Sequence, residues 1–353
     1  MKEINETSTS SVLSFSPVTL ADKPTVDRYM QAYGENSCQH SFAALFTLQE
    51  KYGSKICEKD GFLFTLREEL CREGERVYLA PMGGGDLKSA YGAILDDAAA
   101  HGCRAVFNTL TKKQVNFLRE NFPGRFSCTD LRDYAEYIYQ TESLSRMEGQ
   151  KYAGKRKVIR RLQRAYGERL EARPLSSGSA AEILRFEEQW FCENVADHDR
   201  AALEKEKRSI KLQLDLFDLL GISGVGIYLD GEMIAFAYGV ALNDACFDGI
   251  IAKADRKIPD LYKLLYWEIS SLSAAPYPWF NWEEDVGVEG LRYLKTIYGP
   301  AVLMRKYLAK ENDAPFAPAE SDEIPVVSAI SCEMDDPQVP GSFEESESFS
   351  LNI

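Results

Sequence analysis

The Asp-Gly pairs Asp60-Gly61 and Asp230-Gly231, each set between two β-prone runs, constrain this chain more than any other feature. Asp-Gly between β-prone runs is a strong two-residue hairpin signal, because both central residues must adopt positive φ. The first pair is flanked by 55–59 and 61–66, and 76–80 is a third strand candidate. Helical patterns over 18–33 and 41–51 precede this hairpin. After it, 87–101 reads as a helix, 105–108 as a strand and 112–121 as a helix.

The second half repeats the order. Helices are predicted around 180–194 and 201–220, strands at 225–229, 234–240 and 246–253, and a helix at 261–272. A strand at 279–282, a helix at 286–298 and a last strand at 302–307 follow. Helix, helix, hairpin, strand, helix, strand, helix, strand is the element order of the GNAT acyltransferase fold. The chain is therefore expected to be mixed α/β, with tandem GNAT-like domains at 15–148 and 149–310. The second sheet is expected to hold 225–229, 234–240, 246–253, 279–282 and 302–307.

Charge is distributed unevenly. Of 41 Lys/Arg and 55 Asp/Glu, residues 311–353 take 11 acids and no base, together with five of the 14 prolines. Such a segment buries too little apolar area to offset its ordering entropy, so a disordered acidic tail is expected there, and a flexible lead at 1–14. No apolar run approaches the roughly 18–20 residues that span a bilayer, and the start MKEINETSTSSVL lacks a signal-peptide pattern. A cytoplasmic chain without integral membrane contact is expected. The eight cysteines contain no CxxC, and three histidines (His40, His101, His198) are too dispersed for a His-based zinc site. Neither a metal nor a covalently bound cofactor is predicted.

Three segments could carry chemistry. Residues 151–173 hold nine Lys/Arg, and in a helix Lys157, Arg160, Arg161 and Arg164 share one face, opposite Val158, Leu162 and Ala165. That stripe is either a solvated charged face or a contact for phosphates. Gly83-Gly84-Gly85, between a strand and a helix, either cradles an anion or makes a tight turn with Asp86 as N-cap. The corresponding loop of the second half, 252–260, has no glycine, so a coenzyme A pyrophosphate clasp is not evident there. In 281–300, Glu283, Glu284 and Asp285 precede a helix whose first turns contain Gly287 and Gly290. Those glycines point to close approach by a backbone or ligand, or else Asp285 is simply a helix cap.

Asn281, Glu283, Asp285, Gly287, Gly290-Leu291-Arg292, Lys295, Tyr298 and Pro300 resemble the signature N-x-E-x-D-x-G-x-x-G-L-R-x-x-K-x-x-Y-x-P of the phosphatidylglycerol lysyltransferase C-terminal domain family. Upstream, Tyr137-Ile138-Tyr139, Leu144, Gly149, Lys151 and Lys155-Arg156 resemble that family's entry into its second GNAT unit. The resemblance spans roughly 15–310 in element order. It implies a tandem GNAT fold similar to the Fem-type peptidoglycan aminoacyltransferases, which use aminoacyl-tRNA as donor. Membrane-bound relatives move an amino acid to a lipid head group. Here Lys157 stands where many relatives have Asn, and Ile250 and Ala252 where many have His and Glu.

On this reading the chain is an acyltransferase that moves an aminoacyl group from tRNA to an amine or hydroxyl, on a small molecule or a lipid head group. Glu283, Asp285 and Tyr298 are the catalytic candidates. Lys155, Arg156, Arg160 and Lys253 are expected to hold donor phosphates, with tRNA along 151–173, while Arg292 and Lys295 orient the donor. Asn281, Gly287 and Gly290 shape the motif. The site is expected where the 151–164 helix, the 253–260 loop and the start of the 286–298 helix converge. Two other readings stay open at this level: a non-catalytic anion-binding or regulatory protein on the same scaffold, and a coenzyme A-dependent N-acyltransferase. The sequence leaves the oligomeric state open.

Overall fold

A computed structural model describes residues 12–194 and 200–312. In chain order the first strands are β1 (Ser16–Pro17), β2 (Ser54–Lys59), β3 (Phe62–Arg67), β4 (Glu75–Tyr78), β5 (Met82–Gly83), β6 (Arg104–Leu110), β7 (Phe126–Asp130) and β8 (Glu136–Gln140). The rest are β9 (Leu170–Pro174), β10 (Ser223–Leu229), β11 (Glu232–Asn243), β12 (Cys246–Ala254), β13 (Trp279–Asn281), β14 (Val302–Met304) and β15 (Tyr307–Glu311). The helices are α1 (Lys23–Tyr33), α2 (Phe42–Thr47), α3 (Gln49–Tyr52), α4 (Leu87–Ala100), α5 (Lys112–Asn121), α6 (Thr141–Arg146), α7 (Ala153–Tyr166), α8 (Ala180–Asn194), α9 (Arg200–Asp215), α10 (Phe217–Leu220), α11 (Leu261–Leu272) and α12 (Glu289–Ile297).

Asp60-Gly61 and Asp230-Gly231 make the turns their chemistry demands. Asp60 and Gly61 have φ of 51° and 77°, and Asp230 and Gly231 of 54° and 85°. These paired positive values match the right-handed twist of the strands they join. Asp86 caps α4 through the amides of Lys88 and Ser89. The glycines before it serve packing: a Cβ on Gly83 would lie 2.3 Å from the Gly61 carbonyl, and one on Gly84 2.4 Å from the Tyr33 hydroxyl. Gly85 has φ of 152°, and a Cβ there would lie 3.3 Å from the Phe62 ring.

Two mixed sheets form. The first has the order β1-β2-β3-β4-β6-β15-β7, with β5 also on β3, and the second β14-β8-β13-β12-β11-β10-β9. The expected 225–229, 234–240, 246–253 and 279–282 all lie in the second sheet. The expected strand 302–307 does not exist as one piece. Residues 302–304 pair with β8 in the second sheet, whereas 307–311 cross to the first and insert between β6 and β7. In exchange β8, from the first half, sits between β14 and β13. A cut at 148/149 therefore does not separate the two sheets.

The ends of the described chain also depart from expectation. Leu13 is buried, and its amide donates to Asp97, inside what reads as a flexible lead. Glu311, read as the first residue of the tail, closes β15 and accepts from Arg125 and from the Ala105 amide. The remainder of the expected tail, from 313, lies outside the described residues.

Apolar side chains form three cores. One lies between the first sheet and α4 and α5. The other two cover opposite faces of the second sheet, one beneath α7 and α11 and the other beneath α1, α2, α8 and α9. Where the strands are exchanged, polar groups replace apolar ones. Lys306, between β14 and β15, is fully buried and pairs with Glu136 of β8 at 2.8 Å while donating to Ser37 at 2.6 Å. Glu136 also accepts from Asn281 at 2.7 Å, Ser37 at 2.9 Å and the Cys38 amide. Burial opposes ionisation of Glu136, yet Lys306 and these donors hold its carboxyl below the usual range.

Removing one partner of a buried pair leaves an uncompensated charge, which costs about 3–5 kcal/mol. Lys306→Met should therefore lower stability by about that amount in urea unfolding, and adding Glu136→Gln should recover most of the loss. A single variant as stable as wild type would show that this pair does not hold the two sheets together.

Candidate functional site

The site is organised by the point where β12 and β13 part. They run parallel through Cys246, Phe247 and Asp248, paired with Trp279, Phe280 and Asn281, and then only β12 continues. The chain after Asn281 turns toward β8, with the Trp282 amide on the Tyr137 carbonyl and the Tyr137 amide on the Glu283 carbonyl. Asn281 fixes this departure: its Nδ2 donates to Glu136 and to the Asn36 carbonyl, and its Oδ1 accepts from the Glu283 amide at 2.8 Å. Residues 283–287 form a bend in which Glu283, Val286 and Gly287 have φ of 50°, 45° and 83°. Positive φ is unfavourable for a β-branched residue, so the surroundings must hold Val286 there.

Asp285 does the holding. Its buried carboxylate accepts from Arg132 at 2.9 Å, Tyr137 Oη at 2.6 Å, Arg292 Nε at 3.0 Å and Nη2 at 2.8 Å, and the Gly287 amide at 3.0 Å. Burial opposes its charge, but the Arg292 and Tyr137 hydrogen bonds prevail and lower its pKa to about 2. A carboxylate with five donors and so low a pKa is a poor proton acceptor. Asp285 is neither the expected base nor a simple cap: α12 begins after Val288, and Asp285 ties its start to β8. Arg292 is likewise occupied, adding a bond to Asp133 at 2.6 Å. A Cβ on Gly287 would press on that Asp133 carboxylate, while half-buried Gly290 lies within α12.

Most of the other expected site residues also serve the scaffold. Buried Lys295 donates to the carbonyls of Trp282 at 2.6 Å and Glu284, and burial lowers its pKa to about 8 against the pull of Glu283 and Glu284. Tyr298 is buried with Trp282 and Tyr266, and its carbonyl accepts from Tyr152. Lys155 lies over the Tyr298 ring and donates to the Ile297 carbonyl at 2.9 Å, capping the C-terminal end of α12. Arg156 clamps the carbonyls of Met147 and Gly149. Lys253 is in the strand, fully buried over Trp190 between Glu187 and Glu206. Burial outweighs Lys253 and raises the Glu187 pKa to about 7. Arg160 does face solvent, beside exposed Lys157 and Arg164. The expected convergence is thus altered: α7 meets Asp260 through Arg161 and the far end of α12 through Lys155, not its start.

Glu283 instead lines a small solvent-open pocket on the other face of the second sheet. Side chains from the 38–52 segment, among them Cys38, Thr47, Leu48 and Lys51, complete it with Gln213, Asp248, Ile250 and Glu284. Cys38 Sγ and carboxylate oxygens of Asp248 and Glu283 lie within 4.8 Å of one another, close enough to hold a metal ion or another cation together. Burial first, then mutual repulsion, drives Asp248 and Glu283 well above the ordinary carboxylate range and raises Glu284. Sequence reasoning found the two glutamates but missed Cys38, Asp248 and Lys51. A lone aspartate in the apolar strand CFDGIIAKA was the available signal.

Two mixed sheets, joined through exchanged strands and each carrying a hairpin of the same type, define a tandem GNAT-type acyltransferase fold. The chain belongs to the family described as phosphatidylglycerol lysyltransferase, C-terminal, whose model matches residues 30–310. Among solved structures it is similar to a conserved protein of unknown function from Bacteroides thetaiotaomicron, at 28% identity and TM-score 0.80, covering 85% of this chain and all of that one. It shares its fold with L-PGS from Bacillus licheniformis (16% identity, TM-score 0.57, 83% of this chain and 93% of that one). FemX is also similar, at 9% identity and TM-score 0.55, over 84% of this chain and 97% of its own. No curated protein matches the chain. Among the described residues no helix is long and apolar enough to cross a membrane.

Asp285 generates a pH test. A depressed folded pKa stabilises above the unfolded value near 3.9, and that stability is lost as pH falls toward the folded value of about 2. Asp285→Asn should lower the melting temperature at pH 7 and flatten the wild-type loss between about pH 4 and 2. Superimposable melting profiles for the two proteins would reject the ion-pair role.

Proposed function

We propose that the chain transfers an aminoacyl group from aminoacyl-tRNA to an amine or hydroxyl acceptor, and that the reaction takes place in the pocket at Glu283. The observation that carries this reading is a carboxyl group in an accessible pocket, with its pKa pushed well above the usual range by burial and by Asp248 and Glu284. The raised pKa gives its carboxylate a greater proton affinity, which a general base requires. Glu283 takes the proton from the acceptor as its nitrogen or oxygen attacks the ester carbonyl. The tetrahedral intermediate then collapses, and the ribose oxygen of the tRNA leaves with the proton that Glu283 gives back. Lys51, on the pocket wall, is the cation placed to balance the oxyanion.

The exposed Lys157, Arg160 and Arg164 of α7 suit a phosphate backbone. Because α7 covers the opposite face of the second sheet from the pocket, it serves the body of the tRNA rather than its reacting end. Aminoacyl-tRNA is favoured over coenzyme A as donor by the turn after β12. There the N-terminus of α11 already carries Asp260, paired with Lys263 and Arg161, and Lys257 is paired with Glu193. A pyrophosphate at that helix end would meet a carboxylate. The acceptor is a small molecule or a lipid head group bearing the nucleophile.

Turnover of radiolabelled aminoacyl-tRNA with extracted acceptors tests the assignment. Glu283→Gln should lower kcat by about 10²–10⁴ with donor affinity unchanged. Arg160→Ala with Arg164→Ala should weaken donor binding and make its log–log salt slope shallower by about 1–2. Transfer at the wild-type rate in Glu283→Gln would reject the base.

A further inference from the structure

Lys157, Arg160 and Arg164 are exposed on α7, and none of the three makes an ion pair among the described residues. The helix contains no acid, and its buried Lys155, Ile159 and Leu162 turn the opposite side to the protein. Positions three and four apart on a helix are neighbours, so these like charges repel one another. Other exposed basic residues are balanced. On α9, Arg200, Lys207, Arg208 and Lys211 each pair with a carboxylate, and beside the stripe Arg161 pairs with Asp260 and Arg169 with Asp230. What remains on α7 is a cationic face about 10 Å long, the rise from Lys157 to Arg164 at about 1.5 Å per residue.

The same chain carries the complementary charge. Residues 313–353 contain ten Asp/Glu and no Lys or Arg. Nine of the ten fall into three short groups: Glu320, Asp322 and Glu323; Glu333, Asp335 and Asp336; and Glu344, Glu345 and Glu347. Each group occupies four positions, which cover about 10 Å when extended, the length of the cationic face. Asn312, the last described residue before them, is held at the edge of the first sheet by the Arg125 and Gly124 carbonyls. The 41 residues that follow it can extend to about 135 Å, against about 50 Å for the diameter of a body of about 300 residues. The α7 face is therefore within reach, and tethering raises the local concentration of the carboxylates to about the millimolar range.

We propose that the acidic segment 313–353 docks on the exposed face of α7, one acidic group at a time pairing with Lys157, Arg160 and Arg164. The segment is then an intramolecular competitor for any polyanion that uses this face, and tRNA phosphates must displace it to bind. The competition rests on the reading of α7 as a phosphate contact, whereas the contact itself does not. All the pairs lie in solvent, so salt screens them and the docking weakens steeply as ionic strength rises. A ligand succeeds only by presenting several adjacent negative charges at once. A lone phosphate does not, so the segment makes the face selective for polyanions.

The test compares the full chain with a full-length variant carrying Glu320→Gln, Asp322→Asn, Glu323→Gln and the same changes in the other two groups. Carbodiimide, which joins a carboxylate to a lysine amine in direct contact, should link Lys157 to the acidic segment within one chain at about 50 mM salt, and the link should fade at about 500 mM. Deacylated tRNA, followed by fluorescence anisotropy, should bind the variant about tenfold more tightly than the wild type at the lower salt, and equally at the higher. Tighter binding without a Lys157 link in the wild type would mean general charge repulsion and overturns the proposal. Links found only between two chains overturn it as well, assigning the face to a second copy. Equal tRNA affinity of the two proteins at low salt overturns the competition. A Lys157 link within one chain, with tRNA bound by neither protein, supports the docking and rejects the phosphate-contact reading of α7 instead.

Discussion

The buried pair of Lys306 and Glu136 is the interaction on which the rest of the structure depends. Glu136 opens the strand lent by the first half to the second sheet, and Lys306 sits where the second half returns a strand to the first. Their contact is therefore made only when both exchanges have occurred. The same carboxylate receives Asn281, the residue at which β13 leaves β12. One buried charge pair thus fixes the crossing of the sheets and the opening beside which the pocket lies. Its hydrogen bonds to Ser37 and the Cys38 amide anchor the segment that lines the pocket's near wall.

Local chemistry was legible in the sequence. The Asp-Gly turns, the capping by Asp86, the apolar face of α7 and the strand-helix alternation depend on neighbouring residues, so the fold class could be read from them. The strand exchange could not. Nothing local distinguishes one strand at 302–307 from two that diverge, because the cause is a partner about 170 positions away in the chain, Glu136. The same limit applies to Lys253, which reads as a cation in a loop but is balanced by two glutamates from separate helices. In the candidate site, the run Glu283, Glu284, Asp285 was visible as unusual. Its division of labour was not, since Asp285 is saturated by arginines and a tyrosine while Glu283 faces a cavity.

Three of the buried lysines express a common rule. Lys253 meets two carboxylates, Lys306 one carboxylate and a hydroxyl, and Lys295 two backbone carbonyls. Each ammonium has acceptors to replace lost water, as burial of charge requires. These three ammonium groups are thus satisfied, while Asp248 and Glu284 in the pocket each keep a buried oxygen without a hydrogen-bond partner among the described residues. In a structure that matches most buried polar groups, that local excess of acceptors separates the pocket from the ion pairs around it.

The place of β15 has a consequence for synthesis. This strand fills the first sheet between β6 and β7, yet it is among the last described segments to leave the ribosome. The first half can collapse around α4 and α5 while it is being made, but its sheet keeps an open slot with unpaired edges on both sides. Such edges are templates for pairing with other chains. Completion of the first sheet thus waits until residue 311 has been made, and for that interval the nascent chain depends on whatever shields the gap.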